Sequence, residues 1–251
     1  MQLTVLGCWA PYPRAGGACS GYLLQDGDIN IMLDIGHGSL SRLMQVLDFR
    51  DLTALVITHF HPDHYCDVYA LRHAVAGAIR HKSRQNPLTL FMPSEPAENF
   101  TKLAGYNDAF EVKSIDSLPL EGGTRTTQLA GLKLRFLPTV HKLPSYAVNI
   151  ESSTRFVYTG DTAYTQELVG FAKGADLLLS EASGFDSDAA HLAGSHMTAK
   201  QAGQLGQRAG VKKLMITHFW PEYEQADLLT QAEEGFGGQV ELAREGRTYK
   251  I

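Results

Sequence analysis

The stretch Thr58-His59-Phe60-His61-Pro62-Asp63-His64 decides the reading of this chain. It packs four possible metal ligands into six residues and follows an apolar run, Ala54-Leu55-Val56-Ile57, that reads as a strand. His59 and His61 alternate, so an extended backbone turns both rings to the same side. Pro62 bends the chain, which sets Asp63 and His64 at the start of the following helix, facing a second point. A lone histidine is usually a satisfied or solvated side chain. Three histidines and an aspartate in the pattern H-x-H-x-D-H after an apolar strand are a metal signal.

Two metals need more ligands than these four. Three later residues sit at predicted strand ends, where further ligands are expected. His141 follows the run 132–137, Asp161 follows Phe156-Val157-Tyr158-Thr159-Gly160, and His218 follows 214–217. Each is weak evidence alone, since an aspartate in a Thr-Gly-Asp turn is commonly a turn or capping residue. Together they complete a seven-ligand set. His37, His73, His81 and His191 lie outside that pattern and are assigned nothing.

Composition sets the frame around the motif. The 251 residues, 44% hydrophobic and 20% charged, describe an ordinary globular chain and exclude a disordered, collagenous or coiled-coil protein. Lys and Arg number 22 against 27 Asp and Glu, a net charge of −5, which disfavours a wide duplex nucleic-acid surface. No apolar stretch is long enough to span a membrane, and the N-terminus reads as a strand rather than a signal peptide. Three cysteines (Cys8, Cys19, Cys66) without a CxxC pair argue against a disulfide framework and for a reducing cytoplasm. Arg72, Arg80, Lys82 and Arg84 cluster at one predicted helix, most of them near its C-terminal end, where cations complement the dipole without any RNA track.

No linker or low-complexity tract divides the chain, so a single domain over residues 1–251 is expected. Strand-like runs fall at 3–6, 20–24, 29–33, 54–57, 88–92, 132–137, 146–150, 155–158, 176–179, 214–216 and 248–251. Helical patterns fall between them: Leu40, Leu43, Met44 and Leu47 fit one face, as do Val68, Leu71, Val75 and Ile79, with further helices at 165–173, 198–209 and 223–234. Ile57-Thr58-His59-Phe60-His61-Pro62-Asp63 is echoed by Ile216-Thr217-His218-Phe219-Trp220-Pro221-Glu222, identical at five of seven positions. A duplicated half of strands and helices suggests two sheets face to face with helices outside, an α/β protein of the αββα sandwich type.

The series His59-x-His61-x-Asp63-His64, then His141, Asp161 and His218, resembles the ligand series of the metallo-β-lactamase superfamily, in order, and within it the ribonuclease Z-like branch. The resemblance covers essentially the whole chain and implies the metallo-β-lactamase αββα fold. It implies that His59, His61 and His141 hold one metal, that Asp63, His64 and His218 hold a second, and that Asp161 bridges, with Asp63 both ligand and catalytic residue. Asp34, ending the strand-like run before Gly36, matches an early aspartate that usually supports the metal loop, although a plain turn-forming role fits the sequence equally. Aspartate rather than cysteine at position 161 departs from the best-known zinc β-lactamases. Zinc is the expected ion, with manganese or iron as alternatives.

Two metals about 3.5–4 Å apart can hold a hydroxide and clamp the oxygens of a displaced group, so the site is expected to be hydrolytic. By the resemblance, His196 in Gly194-Ser195-His196-Met197-Thr198 stabilises or protonates phosphodiester oxygens, and Glu181 orients it. The branch commonly has His-Glu-Ala-Thr where this chain has Ser180-Glu181-Ala182-Ser183. The expected function is a di-metal phosphodiesterase for a small or cyclic phosphodiester. A ribonuclease Z-type RNA endonuclease, an acyl, lactone or thioester hydrolase, and a non-catalytic metal-bound regulator are the alternatives. Only 20 positions separate His141 from Asp161, filled by a short loop, two strands and a turn, which leaves no room for the long tRNA-gripping arm the branch often carries there. The resemblance also admits a homodimer.

Overall fold

The computed structural model describes residues 1–251. The chain forms two compact units, Met1–Ser117 with Arg244–Lys250, and Leu118–Ala243. The first contains β1 (Gln2–Gly7), β2 (Gly21–Asp26), β3 (Ile29–Ile35), α1 (Ser39–Val46), β4 (Ala54–Val56), α2 (Pro62–Tyr65), α3 (Val68–Arg80), β5 (Leu88–Met92), α4 (Ala97–Ala104) and β6 (Phe110–Ser114). Its sheet runs from the C-terminal strand Thr248–Lys250 through β1, β2, β3, β4 and β5 to β6. The pairs from the C-terminal strand to β3 are antiparallel, and those from β3 to β6 are parallel. β4 is buried throughout, as a central parallel strand must be. Helix α3 lays Val68, Leu71, Val75 and Ala78 into a core shared with Leu55, Leu88, Leu90 and Met92.

The second unit contains β7 (Leu120–Glu121), β8 (Thr124–Leu129), β9 (Leu132–Pro138), β10 (Tyr146–Glu151), β11 (Arg155–Tyr158), α5 (Gln166–Ala172), β12 (Leu177–Glu181), α6 (Ala189–Leu192), α7 (Ala199–Ala209), β13 (Leu214–Thr217), α8 (Gln225–Phe236) and β14 (Glu241–Leu242). Its sheet runs in sequence order from β7 to β14, antiparallel as far as β11 and parallel from there on. Helices α7 and α8 cross at two glycines. A Cβ on Gly203 would lie 2.1 Å from the Ala232 carbonyl oxygen, and one on Gly235 would lie 2.2 Å from that of Lys200. Backbone cannot move aside cheaply, so Gly203→Ala is expected to destabilise by about 1–3 kcal/mol, read from the urea midpoint. Gly170→Ala in α5 meets nothing within 4 Å and should be neutral or stabilising, the helical preference for alanine being worth about 0.8–1.0 kcal/mol.

The expected α/β class and its two sheets are observed. Both units share one design, an antiparallel part (the C-terminal strand with β1–β3, and β7–β11) leading into three parallel strands (β4–β6, β12–β14). The sequence echo does not mark equivalent positions in that repeat. Its first copy begins just after β4, the first strand beyond the antiparallel part, and its second begins within β13, the second such strand. No helix is long and apolar enough to cross a membrane.

Candidate metal centre

Each unit builds its own set of donors. In the first, β4 ends and the chain runs extended through His61 into α2, with Pro62 at the first helical position, where its missing N–H costs nothing. Asp34, at the end of β3, organises this loop from below. It is fully buried and left-handed, with φ 55°, a conformation an aspartate tolerates better than most residues. Its Oδ1 accepts the Thr58 N–H at 2.8 Å, while Oδ2 accepts the Thr58 hydroxyl at 3.0 Å and His64 Nδ1–H at 2.7 Å.

These bonds set the tautomers. Donation from Nδ1 makes Nε2 the lone-pair nitrogen of His64, and that atom lies 3.6 Å from Asp63 Oδ2. The Thr58 hydroxyl spends its proton on Asp34 and so accepts from His59 Nδ1 at 3.1 Å, which makes Nε2 the ligating atom of His59. His59 Nε2 and His61 Nδ1 stand 3.0 Å apart, a separation suited to two nitrogens on one ion. By nearest donor atoms the motif pairs His59 with His61 and Asp63 with His64.

The geometry favours the supporting role for Asp34 over a plain turn residue. Asp34→Asn keeps the left-handed backbone but presents an NH2 group to two donors or leaves Thr58 N–H without its oxygen. Metal affinity is expected to fall about 10–100-fold with the fold retained, as measured by competition with a chelator.

In the second unit Asp161 follows β11 and Gly160, whose φ of 56° makes the turn. The Asp161 carboxylate is 1% exposed and offers one oxygen to each side: Oδ1 is 3.1 Å from His218 Nε2, and Oδ2 is 3.8 Å from His141 Nε2. His141 donates from Nδ1 to the Ser195 carbonyl at 2.8 Å, so its Nε2 is again the ligating atom. Burial holds its pKa below the ordinary histidine value, against the pull of Asp161, and favours the neutral ring a ligand requires. His218 leaves β13 with φ 64°, an uncommon conformation for a non-glycine residue and one that gathers at functional sites.

Beside this carboxylate stands the second feature singled out from the sequence. His196 Nδ1 lies 3.2 and 3.1 Å from the two oxygens of Glu181 and 3.9 Å from Asp161 Oδ2. Burial works against a charged His196 ring, but the Glu181 carboxylate outweighs it, and the pKa is held above the ordinary histidine value. Glu181 ends β12, fully buried, and accepts the Thr162 N–H at 2.5 Å and the Met197 N–H at 3.3 Å. Thr198 caps α7 in a reciprocal box with Gln201, which fixes the segment carrying His196.

Ser183 is the functional residue that the sequence did not single out. Its hydroxyl donates to Glu181 Oε2 at 2.5 Å and accepts from His218 Nδ1 at 2.8 Å, tying a candidate ligand to the same carboxylate that holds His196. Its only signal was its place two residues after Glu181. Arg14 lies over the Trp9 ring at 4.5 Å. Arg84 donates to the Leu52 and Asn86 carbonyls, in keeping with a structural role.

Residues 30–219 match the family model for the beta-lactamase superfamily domain. The chain is 33% identical to the probable metallo-hydrolase YhfI of Bacillus subtilis over 98% of each protein. The crystal structure of YhfI superposes with a TM-score of 0.91 over 99% of this chain and 98% of that one, at 28% identity. The ribonuclease Z of Thermobifida fusca is 24% identical, across 97% of this chain and 92% of that enzyme. Human tRNase Z, short form, shares the fold with a TM-score of 0.78 over 100% of this chain and 99% of that one, at 20% identity. The chain belongs to the beta-lactamase superfamily, and its fold is of the metallo-β-lactamase type. It is a metal-dependent hydrolase, with His/Asp clusters able to bind metal ions.

Proposed function

We propose that the chain is a two-metal phosphodiesterase acting on a small or cyclic phosphodiester, its two units working as one domain. In this reading His59, His61 and His141 hold one ion, Asp63, His64 and His218 hold the other, and Asp161 joins them. The donors are imidazole nitrogens and carboxylate oxygens with tautomers already set by Asp34, Ser183 and the Ser195 carbonyl, a set that suits zinc first and also manganese or iron. When bound, such ions polarise a phosphoryl oxygen and supply hydroxide at neutral pH. The chain's own contribution is His196, whose protonated form the Glu181 carboxylate favours.

The observation that favours phosphodiester over thioester chemistry is the Glu181–His196 pair, 3.1 Å apart, set beside Asp161. An alkoxide leaving a phosphodiester needs a proton, and an imidazole whose protonated form is favoured by a buried carboxylate is suited to give one. A thiolate leaving a thioester does not.

A small substrate is supported by the interval from His141 to Asp161. It holds a short loop, β10, a turn closed by the Ser152 N–H on the Thr154 carbonyl at 3.0 Å, and β11. The alignment with the Thermobifida ribonuclease Z runs over 301 positions against 251 residues here, so that enzyme carries segments this chain lacks. The net charge of −5 agrees, because gripping a phosphate backbone draws on Lys and Arg. We place the protein in a reducing cytoplasm, which suits its three free thiols. Cyclic nucleotides and short diesters should be hydrolysed well and precursor tRNA poorly. Site-specific 3′ cleavage of precursor tRNA at nanomolar enzyme, with no activity on small diesters, would overturn this reading in favour of an RNA endonuclease.

A further inference from the structure

A second group of metal-binding side chains lies in the first unit, outside the His/Asp series. One donor atom each from His37, Cys66 and Asp67 falls within 4.8 Å of the others. They come from two segments pressed together, the turn after β3 and the junction of α2 with α3. The contact is close, since a Cβ on Gly36 would lie 1.9 Å from the Asp63 carbonyl oxygen. Backbone bonds hold both segments: Asp67 N–H donates to the Ile35 carbonyl at 3.1 Å, Cys66 N–H to that of Pro62 at 3.0 Å, and Cys19 N–H to that of His37 at 2.9 Å. One Asp67 oxygen, Oδ2, accepts the Leu40 N–H at 3.1 Å, while Oδ1 stands 3.9 Å from Cys66 Sγ. His37 is exposed, and Cys66 and Asp67 are half-buried.

We infer that His37, Cys66 and Asp67 form an additional divalent-metal site of the zinc class, open to solvent at a fourth position. One sulfur, one nitrogen and one oxygen make a borderline-soft donor set, which selects zinc-like ions over magnesium, calcium or manganese. Tetrahedral coordination with ordinary zinc–ligand bonds puts donors about 3.5 Å apart. Rotation of the exposed His37 ring, with a small shift at Cys66, closes the remaining gap of about an ångström. Binding forms a sulfur–metal bond and releases the thiol proton to solvent. The ion would fasten the turn that follows Asp34 to the helix carrying Asp63 and His64, so its occupancy couples zinc supply to the rigidity of that loop. The inference does not depend on the proposed phosphodiesterase site, whose seven ligands include no sulfur.

That difference supplies the test. Cobalt is titrated into the metal-free full chain, and the near-ultraviolet thiolate-to-cobalt charge-transfer band is followed. The band is expected in the unaltered protein, lost in Cys66→Ser and kept in Cys19→Ser. In His37→Ala its midpoint should weaken by more than about tenfold, the least already expected for losing an outer partner. Cys66→Ser should also bind one metal equivalent fewer. Absence of the band in the unaltered protein, its survival in Cys66→Ser, or an unchanged midpoint in His37→Ala would each overturn the site.

Discussion

Asp161→Ala is expected to lose bound metal and hydrolytic activity together, the activity falling to background. The reason lies in how the carboxylate is shared. It sets one oxygen 3.1 Å from His218 Nε2 and the other 3.8 Å from His141 Nε2, so a single side chain serves both rings. The backbone at this point does not depend on the side chain. The Asp161 carbonyl accepts the Thr139 hydroxyl at 2.9 Å and the Ser145 hydroxyl at 3.4 Å, and the turn is made by Gly160. The variant should therefore fold, and loss of metal should be read as loss of the ligand. Metal analysis after dialysis, alongside turnover, checks it. A variant with full metal content and full activity would remove Asp161 from the bridging role.

His196→Ala should behave in the opposite way, keeping its metals while turnover falls by about 10²–10⁴, the usual scale for a positioned acid. His196 lies outside the seven-ligand series, and the Glu181 carboxylate 3.1 Å from its Nδ1 favours the protonated ring, which has no lone pair for a metal. The size of the loss should depend on the leaving group. It should be large for an alkyl alkoxide, which must be protonated, and small for nitrophenolate, which leaves unaided. Equal losses for both would show a structural effect instead. Unchanged turnover on the poor leaving group would end the role.

Much of the candidate centre was legible because its proposed ligands cluster in sequence or sit at the ends of apolar strands. His59, His61, Asp63 and His64 announced themselves by spacing, and His218 by following β13. The strands that escaped notice have no apolar run. β6 alternates buried and exposed residues, with Glu111 and Lys113 outward, as an edge strand does. β8 reads Thr-Arg-Thr-Thr-Gln-Leu, and its pairing with β9 rests on a two-residue turn, Ala130-Gly131, with φ of 50° and 93°. Gly122 and Gly123, also at positive φ between β7 and β8, were the one available signal for that hairpin, since such dipeptides favour tight turns. Ser183 was invisible for another reason. A serine has no spacing rule, and its importance comes only from standing between Glu181 and His218 once β12 and β13 lie side by side.

The most direct measurement is stepwise zinc reconstitution of the metal-free protein, read as turnover of bis(p-nitrophenyl) phosphate and, in parallel, of a thioester and a lactone. Phosphodiester turnover should be absent without metal and should rise to a plateau as two equivalents bind to the His/Asp sites, with the acyl substrates left largely untouched. Full phosphodiester activity in the metal-free protein, or metal-dependent turnover of the thioester or lactone alone, would contradict the account.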